Sequence, residues 1–417
     1  MAERKQPLKQ SLMPLLFVVF LDLVGIGIII PIIGPLFLST DSVLPHATSF
    51  ATRTILMGFL IASYPIAQFF GAPILGALSD RHGRKKLLLT SLAGTFVGYL
   101  LFALALVTHN LPLLFISRII DGFTGGNISI AMSSIADLSD EKSKAKNFGL
   151  IGMAFGLGFI FGPFIGGKLS DPAIVSWFSL ATPIWFAAIL TALNILLLIF
   201  NFSETSTTRI HSEVSILTGF KNIKKVFSFP NLRVIFIVVF LLTFGFNFFT
   251  QFFQVFLIEK FNYTQSDIGE IFAYAGLWIA FSQGFVTRIV AKKFGPRKVL
   301  SVSSLLLGLS LPLLVIPDKS AYLYFVMPLI ALFQGLTMPN YTAIISGLSA
   351  KDSQGEILGI SQSIQSLGMA IPPIIAGFII SFNLNLPLIA AGALTLLAWL
   401  VFILFFRKKE KKLFHEV

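Results

Sequence analysis

Hydrophobic residues fall in twelve long runs along this chain, separated by short polar breaks. Each run reaches about the 20 apolar residues that a helix needs to cross a bilayer, and almost no charge falls inside them. The pattern predicts an all-α membrane protein with twelve transmembrane helices. We number these predicted helices as segments 1 to 12, at 12–38, 52–77, 86–108, 111–137, 145–169, 176–200, 232–259, 266–292, 297–317, 319–347, 353–381 and 385–406.

The distribution of positive charge predicts the topology. Only 12% of the 417 residues are charged, and the net charge is +12. With the N-terminus placed inside, all but five of the 31 Lys and Arg residues fall on the inner side. Such an asymmetry orients membrane proteins, so both termini are predicted to be cytoplasmic in a multi-pass cell-membrane protein. The excess charge is therefore a topology signal and does not indicate nucleic-acid binding. The five exceptions are Arg53, Lys168, Lys260 and Lys319 on the outer side, and Arg118 inside segment 4.

The longest polar break, 201–231, divides the chain into two halves that resemble each other. We predict an N-terminal six-helix bundle at 1–200, a cytoplasmic linker at 201–231, and a C-terminal bundle with a basic tail at 232–417. Two parallel six-helix repeats around a midplane binding site are typical of secondary transporters. Residues recur in register between the halves: Gly149, Gly158, Pro163 and Gly167 match Gly359, Gly368, Pro373 and Gly377, while Gly122 and Asn127 match Gly335 and Asn340.

The break after segment 2 carries the most specific motif. It reads Gly76-Ala-Leu-Ser-Asp80-Arg81-His-Gly83-Arg84-Lys-Lys. Here the chain resembles the major facilitator superfamily, whose loop between the second and third helices reads Gly-x-x-x-Asp-Arg-x-Gly-Arg-Arg/Lys. The resemblance implies a fold of two six-helix bundles and a gating role for this loop, joined by Asp137 at the inner end of segment 4.

Elementary chemistry suggests what each motif residue does. Gly76 is expected to let another helix approach, Asp80 to meet the positive end of a neighbouring helix, and Arg84 to pair with a carboxylate. The second-half copy of the loop runs from Phe294 to Lys298. Two residues before this copy, Lys292 stands where Asp80 stands in the first half. The gating contacts of the two halves are therefore predicted to be asymmetric.

Segment 5 is rich in glycine and carries a proline near its outer end. Small residues let helices pack closely, and a proline frees one backbone carbonyl and permits a bend. The segment also resembles the helix-5 signature of proton-coupled drug antiporters in the superfamily, which implies export. Ordinary helix packing is the alternative reading. The motif residues are Gly152, Gly156, Gly162, Pro163, Gly166 and Gly167.

Three charged residues are predicted to lie inside the membrane, where charge is expensive and usually functional. Asp22 lies about 15 Å along segment 1, near the bilayer centre. The run around it resembles helix 1 of the tetracycline/proton antiporters, so we expect Asp22 to load and release a proton. The alternative is an acid that bonds to a neighbouring hydroxyl for packing. The resemblance to these antiporters covers segments 1 to 5.

Arg118 and Asp121 lie three residues apart in segment 4. The family places an arginine here and links it to proton coupling, whereas Asp121 departs from the commoner residues. At this spacing the two side chains could also simply neutralise each other, and both readings stay open.

The second half offers amides instead of a central acid. Aromatic residues surround three of the amides on segment 7, and a cavity of aromatics with a few amides suits a flat, amphipathic organic ligand. Hydrogen bonding between helices is the alternative use of such side chains. The candidate substrate-binding residues are Asn127, Asn247, Gln251, Gln254, Asn340, Gln362 and Gln365.

These features favour a proton-coupled antiporter that exports amphipathic compounds, a function associated with multidrug efflux and antibiotic resistance. The expected partners are a small organic substrate, protons and the lipid bilayer, with no nucleic acid and a monomeric chain. No phosphate-binding loop, metal cluster or nucleophile–base pair is apparent, so we expect no cofactor, no metal and no enzymatic activity. The alternatives are a proton symporter that takes up a metabolite or siderophore, and a membrane receptor or scaffold.

Overall fold

The computed structural model describes residues 8–39, 42–138, 144–206, 217–229, 232–316, 318–348 and 354–406. All the regular secondary structure in these residues is helical. The α-helices are α1 (Leu8–Leu38), α2 (Phe50–His82), α3 (Arg84–Val107), α4 (Leu111–Thr124), α5 (Asn127–Asp137), α6 (Lys144–Leu169), α7 (Thr182–Asn201), α8 (Thr218–Val226), α9 (Arg233–Phe261), α10 (Gln265–Phe281), α11 (Thr287–Ala291), α12 (Pro296–Ser310), α13 (Leu323–Leu348), α14 (Gln354–Ile379) and α15 (Leu386–Val401).

Within the described residues, nine helices are long and apolar enough to cross a membrane, and Gly156–Leu169 forms a shorter apolar stretch. An all-helical membrane fold is therefore confirmed, while the number of twelve spans stays a prediction. In its described part, the linker predicted at 201–231 contains one short helix, α8, which carries Lys221, Lys224 and Lys225.

Segment 4 differs from the continuous helix that the sequence predicted over 111–137. It consists of α4 and α5, and the chain breaks between them at Gly125 and Gly126. A Cβ built on Gly126 would lie only 2.7 Å from the Cα of Ala72, so only glycine fits this contact. The break places the start of α5, at Asn127, within range of Asp22 of α1.

Segment 8 is also interrupted. A π-helix at Ser282–Val286 separates α10 from α11. The hydroxyl of Ser282 donates to the carbonyl of Leu332 at 2.7 Å, which ties this turn to α13. A π-helix widens the backbone spiral locally and is frequent at functional sites.

The first compact unit comprises 1–46, 66–218 and 264–273. Its helices pack mainly as α1 on α6, α3 on α4, and α7 on both α1 and α3. The core is apolar, with Leu15, Val18, Leu88 and Ile130 at most 1% exposed. This unit holds both the predicted intramembrane charges and the motif after α2.

The second compact unit comprises 47–65, 219–263 and 274–417. In it α9 packs on α14 and α15, and α12 packs on α13 and α15. Each contact unit thus includes one short piece from the opposite half of the chain. The predicted division at 201–231 rests on sequence repeats, whereas the two units are defined by contacts between residues. The division therefore stays a prediction.

Glycines set the distance between α1 and α6. A Cβ built on Gly162 would lie 2.7 Å from the Cα of Gly27, and one on Gly166 would overlap the carbonyl of Ile28. Gly158 meets Leu23 in the same way. Because these three glycines of α6 follow one another at four-residue spacing, they form one face on which α1 lies backbone to backbone.

Gly162→Ala should therefore destabilise the fold, although alanine is the better helix former. We expect a loss of about 1–3 kcal/mol, since a methyl group there overfills a closed contact. The measurement is thermal unfolding of the purified protein in detergent. Gly347→Ala in α13 is the control, because a Cβ there meets nothing within 4 Å and should leave stability equal or higher. Equal stability of Gly162→Ala and the wild type would contradict the packing account.

Candidate functional site

Asp22 lies midway along α1 and is 9% exposed. The polar groups that act on its carboxylate are the amide of Asn127 and the carboxylate of Asp121. The predicted central acid is therefore buried and is surrounded by groups from α4 and α5.

Arg118 and Asp121 form an ion pair within α4. Nη1 of Arg118 lies 2.9 Å from Oδ2 of Asp121, and the two side chains are 8% and 5% exposed. The hydroxyl of Thr95, on α3, also interacts with the Asp121 carboxylate. The pair that the sequence predicted is thus present and almost fully buried.

Asn127 carries the observation that points to a ligand. It is the first residue of α5 and is 1% exposed. Neither the nitrogen nor the oxygen of its amide makes a hydrogen bond of good geometry, although the amide lies within range of Asp22. Buried polar atoms are nearly always bonded, so an unsatisfied amide calls for a water, an ion or a substrate group.

Sequence reasoning did not predict that α3 packs against the cluster formed by Asp22, Arg118, Asp121 and Asn127. A Cβ built on Gly98 would lie 2.8 Å from the Cβ of Asp121, and one on Gly25 would overlap the Tyr99 hydroxyl. Tyr99 itself is 3% exposed. A tyrosine in an apolar helix gives no signal in a single sequence, because its role depends on which helix lies opposite.

The loop after α2 forms a compact network around Arg84. Its Nη1 lies 2.5 Å from Oδ1 of Asp80, and its Nε lies 3.2 Å from Oδ2 of Asp137. The same Nη1 donates to the hydroxyl of Ser79 at 2.6 Å. The sequence predicted that Arg84 pairs with a carboxylate, and the structure shows two such partners, Asp80 and Asp137. Both belong to the first unit.

Glu204 completes the network and was not among the predicted residues. Its carboxylate accepts hydrogen bonds from the backbone N–H of Arg84 at 2.8 Å and of Lys85 at 3.1 Å. These are the first two residues of α3, so Glu204 caps that helix from the start of the linker. Gly83 permits the contact: its φ is +100°, and a Cβ there would lie 2.5 Å from Oε2 of Glu204.

Gly76 and Asp80 are the two motif residues with separate expectations. Among the described residues, a Cβ built on Gly76 meets nothing within 4 Å, and the close approach of another helix at Gly76 stays a prediction. Asp80 was expected at a helix terminus and instead pairs with Arg84. Arg81 is exposed and makes no ion pair with the described residues.

The segment 5 glycines divide between two neighbours of α6. Gly162 and Gly166 lie against α1, whereas a Cβ on Gly167 would lie 3.0 Å from the Cα of Gly269 at the start of α10. Pro163 lies inside α6 without ending it. Gly156 is buried in α6, and the surroundings of Gly152 lie outside the described residues.

The amides of α9 bond mainly along their own helix. Asn247 donates to the carbonyl of Thr243 at 2.9 Å, and Gln254 donates to the carbonyl of Gln251 at 3.1 Å. Nε2 of Gln251 lies 3.5 Å from Oδ1 of Asn247. Four of the six neighbouring phenylalanines are buried in the core and two are half-buried; the buried ones are Phe248, Phe249, Phe252 and Phe253.

The remaining amides lie on α13 and α14 in three different settings. Gln365 accepts from the hydroxyl of Tyr341 at 3.3 Å, which links the two helices. Gln362 is exposed, and Asn340 is 8% exposed and donates to the carbonyl of Leu336 at 2.7 Å. A substrate-binding role for these amides stays a prediction.

The chain belongs to the Major Facilitator Superfamily, whose family model matches residues 15–293 and 257–415. It is 32% identical to the tetracycline resistance protein, class E, of Escherichia coli over 379 residues, which cover 90% of this chain and 89% of that protein. It is 28% identical to multidrug resistance protein 2 of Bacillus subtilis (strain 168) over 377 residues, covering 90% of each.

The fold agrees with this assignment. The crystal structure of the human organic anion transporter MFSD10 superposes with a TM-score of 0.73 at 21% identity, covering 95% of this chain and 100% of that chain. The chain is therefore a multi-pass membrane transporter and not an enzyme. The similarity to tetracycline resistance proteins also extends over most of the chain, beyond the first five segments to which the sequence motifs confined it.

Glu204→Ala should lower the free energy of unfolding by about 1–2 kcal/mol, because α3 loses a charged cap at its first two N–H groups. Glu204→Gln keeps one acceptor oxygen and should lose less. Thermal unfolding in detergent measures both. Glu270→Ala is the matched control, since Glu270 makes a single ion pair with Lys168 while 45% exposed, and such pairs contribute about 0–1 kcal/mol. If Glu204→Ala unfolds no earlier than Glu270→Ala, Glu204 is not a structural cap.

Proposed function

We propose that this protein is a proton-coupled antiporter that exports amphipathic organic compounds from the cytosol. It acts as a monomer with twelve transmembrane helices, both termini in the cytoplasm, and two bundles at 1–200 and 232–417 that alternate access to a midplane site. The names of the relatives support drug export, since they are called tetracycline and multidrug resistance proteins.

One observation carries the coupling mechanism: a protonatable acid and an unsatisfied amide share one buried site. Asp22 interacts with Asn127, whose amide atoms have no hydrogen-bond partner of good geometry, and with the Asp121 carboxylate. A substrate group that hydrogen-bonds to Asn127 comes close to the Asp22 carboxyl. Because a cationic or polar substrate and a proton both stabilise the same carboxylate, binding of one favours release of the other.

The Arg118–Asp121 ion pair is proposed to fix the positions of the polar side chains around Asp22. Nη1 of Arg118 neutralises Asp121, so Asp22 is left as the cluster's carboxylate without an ion-pair partner among the described residues. Asp22 is therefore the primary proton carrier in this account, and Asp121 modulates it through their electrostatic interaction.

The loop network is proposed to gate the cytoplasmic side. Arg84 lies between Asp80 and Asp137, and Glu204 ties the same loop to the linker. Breaking these contacts would free the loop between α2 and α3 and with it the first part of the linker. In this account Arg81 and Gly83 shape the loop, and the glycines and Pro163 of α6 fix the helix packing around the site.

Two alternatives make different predictions. A symporter for uptake of a metabolite or siderophore would take up a proton together with its substrate, so binding would not release protons. A receptor or scaffold would bind without flux, and the described part of the chain shows helices and short connections rather than a separate soluble domain.

Substrate binding should release protons from the purified, weakly buffered protein, and Asp22→Asn should abolish that release. Candidate cations, tetracyclines and neutral drugs are added in turn while the pH is recorded. Asp318→Asn, at an exposed acid outside the site, is the control and should release protons as the wild type does. Binding with no release, or with proton uptake, would contradict antiport.

Substitutions in the Arg118–Asp121 pair separate a structural role from a coupling role. Asp121→Asn alone removes the carboxylate that pairs with the buried Arg118 and should cost about 3–5 kcal/mol of stability. The double substitution Arg118→Gln/Asp121→Asn removes both charges and should recover most of that stability. If the pair also positions the site, proton-driven transport by the double variant in proteoliposomes stays low. Transport that recovers together with stability would show that the pair is structural only.

A further inference from the structure

The second-half copy of the loop motif carries a lysine where the first half has the acid Asp80. In the first half, Asp80 and Asp137 neutralise Arg84. In the second half, Lys292 takes the place of Asp80, and the turn between α11 and α12 continues with Lys293. Neither lysine side chain makes an ion pair or hydrogen bond with the described residues.

An open, groove-like cavity of about 470 Å³ lies at this turn. Its wall consists of Thr287, the turn 291–296, and Pro339, Asn340 and Ala343 of α13. A second cavity of about 360 Å³ shares Gly295, Pro296 and Ala343 and adds Arg297. No described residue that lines either cavity is acidic, and the lining cations are Lys292 and Lys293 in the first cavity and Arg297 in the second.

Two further features of the wall favour an anion. The N-terminus of α12 lies there, with Gly295 as the N-cap residue and Pro296, which has no N–H, as the first helical residue. The positive end of a fifteen-residue helix therefore faces the cavity. Asn340, 8% exposed, adds an amide from α13.

The neighbouring surface is apolar. Phe285 and Ile289, on the π-helix and α11, are 57% and 47% exposed, and Phe294 at the cavity is 42% exposed. A headgroup in the cavity could thus continue into acyl chains along this side of the unit. Basic pockets between transmembrane helices on the cytoplasmic side are suited to anionic headgroups.

We propose that this cavity binds a phosphate group, carried by an anionic phospholipid of the predicted cytoplasmic leaflet. Lys292 and Lys293 supply the charge, and the N-terminus of α12 adds the positive end of its helix dipole. The same chemistry would accept free phosphate from the cytosol, and the experiment below separates the two sources. The site lies entirely in the second unit and is independent of the proton-binding cluster in the first.

The chain contains no cysteine, so a single Ala343→Cys substitution provides a probe of this cavity. The measurement is the rate at which a water-soluble maleimide labels Ala343→Cys in a neutral detergent. Short-chain phosphatidylglycerol, short-chain phosphatidylcholine or inorganic phosphate is added at equal ionic strength. We expect phosphatidylglycerol to slow labelling and phosphatidylcholine to have little effect.

The charge requirement is tested by adding Lys292→Gln/Lys293→Gln to the labelled variant. Both lysines are exposed, so folding should be unaffected. Each cation contributes about fivefold to binding of an anionic headgroup, so the concentration of phosphatidylglycerol that protects should rise about 25-fold. Lys224→Gln/Lys225→Gln in α8 is the matched control, with the same charge change outside the cavity, and should keep full protection.

The outcomes separate the sources. Protection by inorganic phosphate at the same concentration as phosphatidylglycerol would assign the site to the free anion. Protection by phosphatidylglycerol alone assigns it to the lipid. The proposal is overturned if phosphatidylcholine protects equally, if neither anion protects, or if protection survives in Lys292→Gln/Lys293→Gln.

Discussion

Hydrocarbon does not hydrate charge, so each ionised group in a membrane protein must be balanced by another part of the chain. The first unit meets this requirement inside the membrane by pairing Arg118 with Asp121, at 8% and 5% exposure. Asp22 lies beside that pair without a cation of its own among its interacting groups. The acid is thus stable when it carries a proton and costly when it does not. In the proposed mechanism, transport follows from this constraint, because a substrate that replaces the proton must also balance the charge.

Close helix packing makes that arrangement possible. The glycine face of α6 brings the backbone of α1 into contact at Gly27, which fixes Asp22 in the unit. The break at Gly125 and Gly126 then starts α5 at Asn127 and aims its amide into the cluster. Backbone groups at such a break are tolerated in a membrane only where protein or a cavity covers them. The same elements therefore secure stability and create the binding site.

The sequence predicted the helical fold, the family and the burial of Asp22, Arg118 and Asp121, because apolar runs and intramembrane charge are local signals. It did not predict what depends on contacts between distant residues. Segment 4 was expected to be continuous, since paired glycines alone do not show whether a helix ends. Glu204 was missed because a cap from 120 residues away has no local pattern.

The central claim is that Asp22 couples the proton to the substrate while the rest of the site binds the substrate. The most direct measurement compares two kinds of transport by Asp22→Asn in proteoliposomes. The account predicts that accumulation driven by a proton gradient is lost, whereas exchange of labelled for unlabelled substrate without a gradient persists. Gradient-driven accumulation that survives in Asp22→Asn would contradict the account, because the proton would then travel through another group.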